Sequence, residues 1–326
     1  MDSPRNLIEV KDLVVTFRRR SAKRISFRPE TFAAVDHVSF SIRQGETYGL
    51  VGESGSGKST IGRAILGYFR PAAGQILYQG KDIAGLKEKE RAPYQRRMQS
   101  VFQDPYSSLD PSMNVAQIIG EPMEIQRMYP GKARRERIAS LLESVGLSPD
   151  DMNRYPSEFS GGQRQRISIA RALAVAPEFI VCDEPISALD VSLQAQIIYL
   201  LQDLQRTNHL TYLFISHQLQ IIRKICSQIG VLYLGSLLET GSAQDVCGAP
   251  IHPYTRMLMS SVLEPDPELH SLDSIPKDSG TQQYSGKGCK FASRCPFAAD
   301  RCRQEMPVLT DFGGGHQAAC FRAGEI

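Results

Sequence analysis

The 326-residue sequence contains no apolar run long enough to cross a bilayer, so no segment reads as a membrane-spanning helix. Its opening, MDSPRNLIEV, lacks the apolar core of a signal peptide. The chain is therefore expected to stay in the cytoplasm and to reach a membrane only through other chains. A strong charge of either sign is also missing. The formal net charge is +3, which argues against a dedicated nucleic-acid binder. No internal repeat is present, so no array of repeated units is expected.

What is there is the composition of a globular protein. Hydrophobic residues make up 41% and charged residues 22%, enough apolar content for a sizeable core. The length predicts one large domain and a smaller appended one. Of the seven cysteines, Cys182, Cys226 and Cys247 are scattered and read as packing residues. Cys289, Cys295, Cys302 and Cys320 cluster near the C-terminal end, and a reducing cytoplasm argues against disulfides there.

Alternating apolar residues over 7–17 and 32–42 predict two half-buried strands. The basic stretch between them, RRRSAKRISFRPE, reads as a solvated loop or as a surface that meets lipid headgroups or a partner. Residues 46–52 predict a buried strand running into a glycine-rich turn, followed by a helix over 60–68 and a hairpin over 74–83. Helical patterns occupy about 112–147 and resume at Gly161. The continuous apolar runs 179–183 and 211–216 predict central strands of a covered parallel sheet, and 229–239 a late hairpin. The alternation gives an α/β architecture with a helical subdomain. Residues 264–288 read as a linker.

Gly52-Glu53-Ser54-Gly55-Ser56-Gly57-Lys58-Ser59 fits G-x-x-x-x-G-K-[ST] between a predicted strand and a predicted helix. Its glycines let backbone N–H groups curl inward toward phosphate, and the helix that follows offers its N-terminus to the same anion. Lys58 can reach the β- and γ-phosphates of ATP, and the Ser59 hydroxyl can ligate Mg²⁺. A second apolar strand, Phe179-Ile-Val-Cys182, ends in Asp183 and Glu184. Two acids at a strand end are often a solvated edge. Beside a phosphate loop, Asp183 can hold Mg²⁺ and Glu184 can polarise an attacking water.

The remaining motifs resemble those of ABC ATPases and occur in that family's order. Phe159-Ser160-Gly161-Gly162-Gln163 resembles the signature, Gln103 the Q-loop, Ser187-Ala-Leu-Asp190 the D-loop, and His217 the switch histidine. Phe159 stands where the family usually has Leu, and Gln218 where Asp is common. The resemblance runs from about Leu7 to the C-terminus. It implies a P-loop NTPase (RecA-like) core with an antiparallel β subdomain and a helical subdomain, over about 1–250 with the helical insert at about 104–165. It also implies that two cassettes sandwich ATP. Ser160, Gly161, Gly162 and Gln163 would then face the partner's nucleotide, with Asp190 at the same junction. Thr60 completes the loop that holds the chain's own ATP. Gln103 would sense Mg²⁺ and the γ-phosphate, and His217 would orient the water. Phe17 lies where the family has an adenine-stacking aromatic; core packing explains it equally well.

VGESGSGKST, VFQDPYSSLDP, RYPSEFSGGQRQRISIARAL and His252-Pro-Tyr-Thr255 resemble the ATPase subunits of oligopeptide and dipeptide permeases, the second of the pair in particular. The C-terminal extension, 251–326, carries Cys289-x5-Cys295-x6-Cys302 and then Cys320. The resemblance implies a [4Fe–4S] cluster there; Zn²⁺ and free thiols are the other readings. It further implies a second, homologous ATPase subunit, two transmembrane permease subunits and an extracytoplasmic solute-binding protein. The chain would sit peripherally on the cytoplasmic face of the inner membrane, with residues 104–115 as candidates for touching a membrane subunit. Related ATPases also serve uptake of nickel, opines or glutathione.

Overall fold

The computed structural model describes residues 5–19, 30–260 and 286–325. Most of the basic stretch and most of the expected linker lie outside the described residues.

A first sheet is antiparallel throughout. β1 (Asn6–Arg19) pairs with β2 (Glu30–Arg43) on one side and β4 (Ala73–Tyr78) on the other, and β5 (Lys81–Asp82) closes the edge. The second sheet begins with β3 (Thr47–Val51), which feeds α1 (Lys58–Leu66). After α2 (Glu88–Arg97) comes β6 (Met98–Val101), an edge strand that the polar sequence around it had concealed.

A helical segment follows: α3 (Pro105–Ser108), α4 (Val115–Ile125), α5 (Lys132–Ser144) and α6 (Gly161–Leu173). Asp104 caps α3 by accepting the Tyr106 N–H, and reciprocal capping boxes start two more of these helices. Asn114 and Gln117 form a reciprocal capping box at α4, and Ser160 and Gln163 form one at α6. The chain then returns to the sheet as β7 (Phe179–Asp183), α7 (Val191–Asn208), β8 (Thr211–Ser216), α8 (Leu219–Ile225), β9 (Gln228–Tyr233) and β10 (Ser236–Ser242). Next come α9 (Ala243–Gly248) and α10 (Pro253–Ser260), then α11 (Asp300–Gln304), β11 (Thr310–Asp311) and β12 (Gln317–Ala318).

The second sheet has the order β11-β12-β10-β9-β3-β8-β7-β6. From β9 to β6 all neighbours are parallel; β10, β12 and β11 add antiparallel pairings. Its central strands β3, β7 and β8 are buried along their whole length because both faces are covered. Alternate residues divide between two cores. Tyr212 and Phe214 of β8, with Ile180 and Cys182 of β7, pack on the helical side. Leu213 and Ile215, with Phe179 and Val181, pack toward α1 and the antiparallel sheet. Cys182, Cys226 and Cys247 are buried free thiols in the first of these cores, as expected. Phe159 is also core there, 4% exposed, with the Arg154 guanidinium 4.4 Å from its ring centre. An aromatic therefore serves where a leucine would pack. The C-terminal residues join the main sheet through β12, where Glu239 and Thr240 pair with Ala318 and Gln317.

Candidate active site

The phosphate loop lies between β3 and α1, pressed against backbone on two sides. A Cβ on Gly57 would come 2.3 Å from the Ala34 carbonyl oxygen, and one on Gly52 would come 2.1 Å from that of Leu232. Gly57 also has φ +106°, a conformation side chains resist. Lys58 begins α1 and is buried, 4% exposed. Its ammonium donates to the carbonyls of Gly52 (2.7 Å) and Glu53 (2.8 Å) and, at 3.3 Å, to the Ser56 hydroxyl. Burial pushes its pKa down, while Glu184, Asp183 and Glu53 oppose the shift. Ser54 and Gly55 are exposed, and Ser59 and Thr60 half-buried, on the open side of the loop.

The Ser59 hydroxyl donates to Asp183 Oδ1 at 2.7 Å, joining the end of β7 to the start of α1. Burial raises the pKa of Asp183, the Ser59 hydrogen bond and the nearby Arg63 pulling the other way. An alcohol and a carboxylate beside a lysine suit a hard, oxygen-seeking cation such as Mg²⁺. Next to them, Glu184 adopts φ +48° and donates its N–H to Ile215 O at 2.9 Å. Its carboxylate accepts Gln103 Nε2 at 3.2 Å and lies 3.2 Å from His217 Nδ1. Gln103, Glu184 and His217 each follow the C-terminal end of a strand, β6, β7 and β8, and these strands are neighbours in a parallel sheet. Residues remote in sequence thus meet at one edge, where open α/β sheets bind ligands.

The signature residues do not join this group. Ser160 is exposed and caps α6, its hydroxyl accepting the Gln163 N–H at 3.4 Å and its own N–H donating to Gln163 Oε1 at 2.9 Å. Gly161 and Gly162 face Leu189 and Leu193, so the start of α6 lies against the entry to α7, where exposed Asp190 stands. Among the described residues, no hydrogen bond or ion pair links this face to the phosphate loop. Phe17 is half-buried, edge-on to Phe69 with ring centres 5.1 Å apart and 6.0 Å from half-exposed Phe32.

Two contacts on the phosphate loop had no sequence signal. Arg294 holds the Glu53 carboxylate through two hydrogen bonds, Nη1 to Oε2 at 2.8 Å and Nη2 to Oε1 at 2.9 Å. The Glu53 N–H donates to the Tyr254 hydroxyl at 2.8 Å. Glu53, expected as a nucleotide contact, therefore commits its carboxylate to Arg294 and leaves its backbone in the loop.

Cys289, Cys295, Cys302 and Cys320 line one small cavity, together with His252, Phe291, Phe297 and Pro307. All four are free thiols. Burial pushes Cys289 up to about 11 and raises Cys295 and Cys320, with neighbouring cysteines adding to each shift. Four soft sulfurs in apolar surroundings fit a thiophilic metal by donor chemistry. Among the described residues, however, no three His, Cys, Asp or Glu side chains are drawn together closely enough to form a metal site.

Residues 35–187 match the family model described as ABC transporter, and residues 238–302 that described as oligopeptide/dipeptide transporter, C-terminal region. The oligopeptide transport ATP-binding protein AppF of Bacillus subtilis is 44% identical over 322 residues, covering 96% of each chain. The oligopeptide transport ATP-binding protein OppF of Haemophilus influenzae is 42% identical over 321 residues, covering 97% of each. Among solved structures, the dimeric ATP-binding cassette MJ0796, in a post-hydrolysis state bound to ADP and Pi, matches with TM-score 0.63 and 27% identity. That match covers 72% of this chain and 98% of the other. The fold is also that of cbiO1 from Clostridium perfringens, with TM-score 0.65 at 23% identity over 83% of this chain and all of the other. No helix among the described residues is long and apolar enough to cross a membrane. With a complete phosphate loop, an acidic strand end and these relatives, the chain belongs to the ABC transporter family as an ATP-hydrolysing subunit bearing the oligopeptide/dipeptide transporter C-terminal region.

Proposed function

We propose that this chain is the motor of an importer of di- and oligopeptides. The observation that carries the catalytic part is the meeting of Gln103, Glu184 and His217 beside Lys58 and the Ser59–Asp183 pair. Glu184 accepts a proton from water as the water oxygen attacks the γ-phosphorus. The bond to the bridging oxygen breaks, and ADP leaves with Pi. Lys58 exchanges its loop carbonyls for β- and γ-phosphate oxygens. Gln103 and His217 hold Glu184 and the water in line. Ser59 and Asp183, with Gln103, are the residues that would hold Mg²⁺, which supplies charge neutralisation at the phosphates. Phe17 stacks on the adenine.

Exposed Ser160 and Asp190, with Gly161, Gly162 and Gln163 beside them, complete the ATP site of a second, homologous ATPase subunit in a head-to-tail pair. The Ser160 hydroxyl and the start of α6 form an anion site that the chain's own phosphate loop does not use. Residues 104–115, with Tyr106 60% exposed, meet two transmembrane permease subunits at the cytoplasmic face of the membrane, and a solute-binding protein delivers cargo on the other side. We assign 1–250 to the nucleotide-binding domain, including the helical insert at about 104–165, and 251–326 to the extension. Cys289, Cys295, Cys302 and Cys320 would hold a [4Fe–4S] cluster, with Zn²⁺ the second reading, supplying a cross-link that orders the extension.

The experiment is ATP-driven uptake by the reconstituted complex in proteoliposomes. Uptake of labelled di- and oligopeptides, lost with Lys58→Ala, supports the reading. Uptake of nickel or glutathione with no response to peptides overturns the cargo. ATP turnover by the chain without any membrane partner bound or required overturns the transporter role.

A further inference from the structure

Three separate groups of Glu53, the first variable residue of the phosphate loop, are held by three different side chains. Its carbonyl accepts the Lys58 ammonium, its N–H donates to the Tyr254 hydroxyl, and its carboxylate takes both arms of Arg294. Tyr254 and Arg294 come from the C-terminal extension, 201 and 241 residues away. Arg294 is 7% exposed, and its guanidinium carbon lies 5.7 Å from the Tyr233 ring centre and 5.6 Å from that of Phe291. A planar fork seated among aromatic rings fixes a carboxylate in position as well as in charge.

The same short turn reaches the loop a second time, indirectly, through the β9–β10 corner. Lys290 donates to Leu234 O at 2.7 Å and pairs with Asp36 at 2.8 Å. The neighbouring Gly235 N–H donates to Ser56 O, and its carbonyl accepts the Asp36 N–H, both at 2.8 Å. Lys290 and Arg294 both lie between Cys289 and Cys295. The turn is tied to itself as well: the N–H groups of Arg294 and Cys295 both donate to Phe291 O, each at 3.0 Å. One side of this turn thus holds Glu53 directly, and the other holds the β9–β10 corner that holds Ser56. A loop with glycines at φ +78° and +106° has little stiffness of its own, so its shape depends on such outside contacts.

We propose that the turn between Cys289 and Cys295 is a clamp that sets the phosphate loop for ATP, with Arg294 as a positioning residue acting through Glu53. The clamp rests on the phosphate loop being the ATP site and needs no metal at the cysteines. It makes ATP affinity depend on the state of the C-terminal extension, so any change that unravels the Cys289–Cys295 turn is felt where ATP binds.

The test is a double-mutant cycle on the full-length chain, read by titration with a fluorescent ATP analogue. Arg294→Met and Glu53→Gln should each weaken binding about tenfold, and the double variant should be no weaker than either. In the assembled transporter, KM for ATP should rise by a similar factor while kcat changes less than about twofold. Arg294→Lys, which keeps the charge without the fork, should recover only part of the affinity. Unchanged affinity in folded Glu53→Gln overturns the proposal, as do losses that multiply in the double variant. Should Arg294→Met fail to fold, Glu53→Gln alone decides, because it leaves the packing of Arg294 on Tyr233 and Phe291 in place. The failure modes stay distinct: loss of binding in Lys58→Ala reports on the ATP site, whereas only the Glu53–Arg294 cycle reports on the clamp.

Discussion

Replacing Glu184 by Gln removes one proton-accepting oxygen and changes little else. Glu184 lies at the end of β7, its side chain 15% exposed, with φ +48° held by the hydrogen bond from its N–H to Ile215 O. Gln has nearly the same size and meets the same backbone strain, so folding stability should stay within about 0.5 kcal/mol of the wild type. Lys58 keeps its hydrogen bonds to the loop and Ser59 keeps its bond to Asp183, so ATP affinity should change less than about threefold. What is lost is general-base assistance, worth roughly 10²–10⁴ in rate, or about 3–5 kcal/mol of barrier. The assay is steady-state phosphate release by the assembled transporter, with size-exclusion chromatography of the ATPase pair in ATP. The variant should bind ATP, remain dimeric and turn over at least about a hundredfold more slowly. Turnover within about twofold of wild type would refute the assignment of Glu184 and the reasoning from its contacts with Gln103 and His217.

Gly57→Ala should destabilise the chain by at least about 2 kcal/mol, because a Cβ there meets the Ala34 carbonyl at 2.3 Å in a backbone region alanine disfavours; thermal melting checks this, and an unchanged midpoint contradicts it. Acidification should weaken the fold through His252, which burial lowers from 6.5 to about 3. Its ring is neutral in the native state and accepts the Tyr254 N–H at Nδ1. The unfolded chain therefore binds the extra proton, and this contribution is complete above pH 6.5 and lost at up to about 1.4 kcal/mol per pH unit as pH falls toward 3. His252→Asn should flatten part of the slope of stability against pH between 6 and 4 in urea titrations; an identical slope rules His252 out as its source. Changing Cys289, Cys295, Cys302 and Cys320 together to Ser should abolish iron and sulfide in anaerobically purified protein, and unchanged iron content would mean other ligands.

Much of the catalytic edge was legible because its motifs are local. Gly52 to Ser59 carry their chemistry in eight consecutive residues, and the apolar runs before Asp183 and His217 announced strands whose ends face a ligand. The signature serine was legible only through its resemblance to the ABC signature; that Ser160 and Gln163 form a capping box at α6 came from the structure. Phe159 read as a departure until its burial showed that the position asks for bulk. β6 was missed because an edge strand of four residues beside charged α2 leaves no apolar period.

The sequence by itself determined the phosphate loop, the acidic strand end and the main alternation of strands and helices around them. These depend on residues within a turn or two of each other, where spacing translates directly into geometry. Only the tertiary structure decided what those parts touch. Parallel pairing of β6, β7 and β8 brought Gln103 and His217 to Glu184 across 81 and 33 positions. Pairing of the C-terminal residues with β10 accompanies the placement of Arg294 and Tyr254 on Glu53. Such contacts follow from sheet register and from the packing of Phe291 among Tyr233, Tyr254 and His252, which no local pattern encodes.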